Sequence, residues 1–207
     1  MRTTAILTVA AATHACALAQ SIPQSINRGA HDPAGQAVTV CMKFVSDARL
    51  LSSAEKIASK MFAEIGVAIE WSGRDDCHLK GGAIVVTLSY AIDPRKQPGA
   101  YAFARPYEGT HIVIFWDRIQ HKLPRSGASI LLAHVLAHEI THILQIDTRH
   151  SETGVMKAAW SDDDLFQMVK RPLRFTERDV QLIHLGMVGR RASLHRDAKE
   201  YHNGDPL

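Results

Sequence analysis

Between Ile130 and Ile146 the chain runs through an apolar segment that also carries four titratable side chains, His134 and the closer set His138, Glu139 and His142. Leu131, Leu132, Val135, Leu136, Ile140, Ile143 and Leu144 leave little of it for solvent, which predicts a long, largely buried helix. Imidazole and carboxylate groups are rarely buried without a partner, because burial strips their hydration. Residues four apart share a helical face, with Cβ atoms roughly 5–6 Å apart. Two imidazoles at that spacing can converge on one ion, and Glu139, one position round, can reach a water beside it. The competing reading is one more amphipathic helix in a histidine-rich chain. The apolar setting of His138, Glu139 and His142 favours a metal. His134, one turn earlier, is expected to be a supporting or solvent-facing residue and not a ligand.

Elements on either side of this helix read as an α/β (α+β) domain. The β-branched run Ala37–Val45 predicts a strand. Ser53–Ile65 has Ala54, Ala58, Met61, Phe62 and Ile65 on one face, a helix that Gly66 would end. Val67–Trp71, Ala83–Tyr90 and Thr110–Trp116 read as further strands, with Gly99–Ala104 as a short edge strand. After Met156 the pattern weakens, and up to Arg171 it supports a helical turn or more. Thr176 then looks like an N-cap, with Asp179 three residues on and a helix ending near Gly186. Residues 37–190 are expected to form a single domain whose mixed, twisted sheet packs on two helices. A polar tail, 191–207, would follow.

Composition narrows the function classes. A formal net charge of +3, evenly spread, argues against a nucleic-acid partner. The N-terminus has Arg2, an apolar run and then Ala17-Leu18-Ala19, the pattern of a signal peptide over 1–19 cleaved after Ala19. Its apolar core is too short to span a membrane, and no later segment reads as a span. The expected location is therefore secreted or periplasmic, with a polar extension over 20–36. Cleavage leaves Cys41 and Cys77, which in an oxidising compartment suggests one disulfide.

The stretch "HEITHILQIDTRHSETGVM", His138–Met156, resembles the metzincin clan of zinc peptidases, whose pattern is His-Glu-x-x-His-x-x-Gly-x-x-His followed by a methionine in a tight turn. His138, Glu139 and His142 match its first half, and His150 and Met156 look like the third ligand and the Met-turn methionine. The match departs from the pattern at two places. Gln145 stands where the glycine belongs, and Thr148 where the third histidine belongs, so His150 falls two residues late. Asp147 could cap the helix or itself adopt the left-handed turn. Asp147, Glu152 and the Asp162–Asp164 run are alternative third ligands.

The resemblance implies a zincin/metzincin-like fold: an active-site helix, a Met-turn and a C-terminal helix. It implies one catalytic Zn2+ on His138, His142 and His150, and Glu139 as general base towards a zinc-bound water. It also implies that an antiparallel edge strand, here Ala100, Tyr101, Ala102 and Phe103, holds a peptide or protein substrate. Trp160 is a candidate wall of a specificity pocket. The expected activity is that of a secreted zinc endopeptidase. The alternatives are a secreted zinc-binding module without turnover, or a zinc hydrolase of a non-peptide amide.

Overall fold

Strand β3 (Ile84–Ser89) alternates buried and half-buried side chains along its length, the period of a sheet covered more fully on one face. Four further strands join it: β1 (Ala37–Met42), β2 (Ala68–Ser72), β4 (Ala102–Arg105) and β5 (His111–Phe115). Their order across the sheet is β2-β1-β3-β5-β4. The first four are parallel, and β4 alone runs antiparallel, at the edge, paired with β5 from Ala102 opposite Ile114 to Arg105 opposite His111. The computed structural model describes residues 37–43, 47–73, 82–90 and 98–203. The expected signal peptide, the 20–36 extension and Cys77 lie outside them.

Helix α1 (Ala48–Ala63) starts where Asp47 accepts hydrogen bonds from the Arg49 and Leu50 amides. It buries Leu51, Ala54, Ala58, Met61 and Phe62, and Gly66, at φ 75°, turns the chain into β2. A short helix, α2 (Trp116–Lys122), follows β5 directly. The apolar run of the strand continues through Trp116, which hides that boundary in the sequence. Helix α3 (Arg125–Gln145) comes next, then α4 (Asp162–Lys170) with a Ser161/Asp164 capping box, and α5 (Glu177–Asn203). Helix α3 packs between α1 and α5 and against β4 and β5. Val40, Met42, Ile84, Val86, Ile112 and Ile114 from the sheet meet Phe62, Leu132, Leu136, Ile140 and Met156 in one core. A mixed sheet on packed helices, with an antiparallel edge strand, is therefore what forms.

Three expectations need correction. Helix α5 does not end at Gly186. A Cβ there would stand 1.7 Å from the Leu144 carbonyl oxygen, so this glycine is where α5 crosses α3 in backbone contact and not where α5 stops. The chain beyond residue 190, expected as a tail, continues α5 to Asn203. The disulfide is not found: Cys41 is a free thiol, fully buried in β1. Cys41 sits between Val40 and Met42, so it points to the opposite sheet face from those core residues. Among the described residues one stretch, Gly127–Gln145, is long and apolar enough to cross a bilayer, but it is buried within the protein. Its apolarity on all sides reflects neighbours on all sides.

Candidate metal centre

His138 and His142 lie one turn apart on α3, both buried, with ring centroids 4.7 Å apart. Each ring is oriented by a backbone carbonyl. Nδ1 of His138 donates to Val155 O at 2.9 Å, and Nδ1 of His142 to Asp147 O at 2.9 Å. A carbonyl can only accept, so both protons sit on Nδ1 and both Nε2 atoms carry bare lone pairs. Those two Nε2 atoms are 3.0 Å apart. With no proton between them they repel, unless a cation sits in front of both. Adding a charge by protonation is opposed: burial first, then neighbouring imidazoles, pushes His138 down to about 3, and burial pushes His142 down to about 4.

The chain returns a third ring to this place. Helix α3 ends at Ile146, whose φ of 54° and ψ of 38° are left-handed. Asp147 N–H closes the end on His142 O, and the Asp147 carboxylate takes the Arg149 amide. The left-handed position is thus Ile146, neither Asp147 nor a glycine at 145. His150 then lies with its ring centroid 5.2 Å from that of His138 and 4.9 Å from that of His142. One ligand atom from each of the three histidines lies within 4.8 Å of the others. Tetrahedral bonds of about 2.0–2.1 Å need nitrogens roughly 3.3 Å apart, so this donor set fits zinc after a small closing movement. His150 is exposed, and desolvation, then the Arg149 charge, moves its pKa below the ordinary value.

Beyond His150 the chain makes a tight turn. Ser151 N–H donates to Met156 O at 2.8 Å, and Val155 N–H to Arg174 O at 3.0 Å. Gly154 holds φ 77°, where a Cβ would come 2.2 Å from the Arg174 carbonyl oxygen. Met156 is fully buried in the core. The turn presents Val155 O to His138, so the expected Met-turn segment does support the ring of the first histidine. Beside it Asp179, on the first turn of α5, is fully buried. Its Oδ1 accepts from Arg149 Nη1 at 3.0 Å and Ser151 Oγ at 2.7 Å, and its Oδ2 from the amide and hydroxyl of Thr176. Burial alone would raise this carboxyl. The hydrogen bonds from Ser151, Thr176 and Arg149 outweigh it and hold the pKa below the ordinary value.

A cleft of about 520 Å³ opens beside the three rings. Its walls include Glu139, Ala102, Ala158 and the Tyr101/Trp160 ring pair, whose centroids are 6.3 Å apart. Glu139 is buried, which pushes its carboxyl up to about 8, and a hydrogen bond from the Ala104 amide opposes that rise. Phe115 N–H donates to Tyr101 O at 2.8 Å, so the ladder bonds fall at positions 101, 103 and 105. Ala102 and Ala104 therefore turn their backbone groups away from β5, towards the open edge.

No protein-family model and no curated protein matches the chain. Among solved structures it resembles archaemetzincin from Methanopyrus kandleri, with a TM-score of 0.52 and 16% identity, over 78% of this chain and 98% of that one. The fold is archaemetzincin-like. At that identity the likeness speaks to the fold, and the site rests on this chain's own residues.

Within this archaemetzincin-like fold the four motif residues expected at the centre, His138, Glu139, His142 and His150, do share one cleft. The alternative third ligands do not join them. The Asp147 carboxylate accepts the Arg149 amide within the loop, Asp162 pairs with Lys122 and Asp164 with Lys157, while Glu152 lines a different depression. Ala100, Tyr101, Ala102 and Phe103 all line the cleft, as does Trp160, which stands 5.6 Å from His138 between ring centroids. His134 is not solvent-facing: Nδ1 donates to Ile130 O and Nε2 accepts the Leu173 amide, which ties α3 to the segment before α5. Sequence reasoning missed the grip of Asp179. Its spacing from Thr176 signals a helix cap, and nothing local signals a second use.

Proposed function

We propose that this protein is an exported zinc-dependent endopeptidase. The observation that carries the reading is the pair of bare Nε2 atoms 3.0 Å apart, joined by His150 and sharing a cleft with the buried carboxyl of Glu139. His138, His142 and His150 would hold the metal. Bound zinc supplies Lewis acidity, which acidifies water and stabilises negative charge on a carbonyl oxygen. Glu139 accepts a proton on its carboxylate as the water oxygen attacks the peptide carbonyl carbon. It returns that proton to the leaving amine nitrogen as the C–N bond breaks. Burial raises the pKa of Glu139, and the charge of a bound dication would oppose that rise and favour the carboxylate that takes the proton.

The open edge of β4 favours a peptide over a small amide. An extended chain can add to such an edge through backbone hydrogen bonds. Ala102 offers both an N–H and a C=O there, and the alanine-lined floor leaves room for a backbone to approach. The N-terminal pattern Arg2 to Ala19 supports export, and N-terminal sequencing of protein recovered outside the cytoplasm should begin near Gln20.

Metal analysis with a peptide-library digest, wild type beside Glu139→Gln, tests the activity. The expected result is zinc in both proteins, with cleavage lowered at least about 10²–10⁴-fold in the variant. A variant that cuts at the wild-type rate, or a wild-type protein that takes up no zinc, ends the proposal.

A further inference from the structure

We infer that Asp179 is the positioning residue for His150, and that its grip on the loop from α5 does the work a glycine turn would do after the second histidine. The inference rests on the three-histidine reading. After α3 the chain has four residues, Ile146 to Arg149, before His150, and none is glycine. A longer loop ending in an exposed side chain samples many ring positions, so something outside the loop must restrict it. Asp179 takes hold of both neighbours of His150, Arg149 through Nη1 and Ser151 through Oγ, on a single oxygen. Its other oxygen is held by Thr176, so the carboxylate cannot rotate away. Asp179 also receives the Gln145 side-chain amide on its backbone carbonyl at 3.3 Å, and Gly186 lets α5 touch the Leu144 backbone. The carboxylate is thus referenced to the end of the helix that carries His138 and His142. Position passes from α3 through α5 to His150.

The test uses the full chain and the metals alone. Zinc affinity is measured by competition with a chromophoric chelator, and ligand geometry by the visible spectrum of the Co2+ form. Arg149→Ala with Ser151→Ala removes the grip and leaves the Thr176 cap in place. Dissociation constants should rise about 10–100-fold, the range for residues that orient a metal ligand, with a changed Co2+ spectrum. Loss of the Arg149 charge would by itself favour metal binding, so weakening reports the lost grip. In a His150→Ala background the same two substitutions should change affinity by no more than about twofold, because the grip acts through that ring. Asp47→Ala, which removes the distant α1 cap, should lower stability and leave affinity unchanged.

Wild-type affinity in the double variant, or an undiminished effect without His150, overturns the inference. If the double variant does not fold, Ser151→Ala alone should still weaken zinc binding, and wild-type affinity there overturns it equally. Failure of the wild-type chain to bind either metal is a different result: it removes the three-histidine reading, and the inference falls with it.

Discussion

Glu139 and Ile146 are both held in costly states. The carboxyl of Glu139 is buried and pushed up from 4.5 to about 8. Its folded pKa lies above its unfolded one, so its stability is full below about pH 4.5 and is lost as pH rises through about 8. Metal-free Glu139→Gln should match wild type near pH 4 and be more stable above pH 8, by on the order of 1–3 kcal/mol. Urea denaturation at the two pH values reads this, and equal stabilities at pH 9 would contradict it. Ile146 is a β-branched residue at φ 54°, and the residue is 49% exposed. Little burial is lost by removing it and left-handed strain is relieved, so Ile146→Gly should stabilise the protein by about 1 kcal/mol. A lower denaturation midpoint in this variant would refute the strain.

Helix against helix, the decisive contact is the crossing of α5 over α3 at Gly186. A Cβ 1.7 Å from Leu144 O and 2.9 Å from Leu144 C has only backbone to push against. Gly186→Ala must therefore separate the helices, at a cost of about 1–3 kcal/mol or more. Thermal melts should show the loss, and metal affinity should fall with it, because the same two helices carry the histidines and Asp179. Gly189, one turn on, has nothing within 4 Å of a Cβ, so Gly189→Ala serves as the matched control and should be neutral or stabilising. From the sequence, Gly186 looks like a helix terminator, since glycine is enriched both at helix ends and at close crossings. Only the neighbour across the crossing tells the two apart.

Across the whole molecule, the buried histidines and Glu139 set opposing pH slopes in the metal-free protein. His134 is moved below its ordinary 6.5, chiefly by burial, while His138 and His142 are pushed down to about 3 and about 4. Their folded pKa values lie below the unfolded ones. Their stabilising contribution is full above pH 6.5 and is lost as pH falls, each at up to about 1.4 kcal/mol per pH unit. These groups, with His150 lowered in the same sense, outweigh the two carboxyls that burial raises, Glu139 and Glu55. Metal-free stability should therefore peak near pH 6.5, with a steep acid limb and a shallower alkaline one. Zinc at a hundred times its dissociation constant should add about 2.7 kcal/mol. A chelator-treated protein whose melting temperature is flat from pH 4 to 7 and unmoved by zinc would contradict both.

Sequence alone determined the parts of this protein that depend on neighbours along the chain. Helical spacing placed His138, Glu139 and His142 together on a buried segment, because one turn of α-helix has one geometry wherever it occurs. Alternating β-branched runs marked the strands for the same reason. His150 and Met156 were legible only through the motif they resemble, since no local rule says where a loop comes back. Tertiary structure alone decided that the loop after α3 returns His150 despite its extra length, that Asp179 holds it, that Gly186 joins two helices, and that Cys41 stays a buried thiol. Each of these is a meeting of segments distant in the chain. Such meetings follow from which faces pack together, and that is settled by the shape and burial of the whole core.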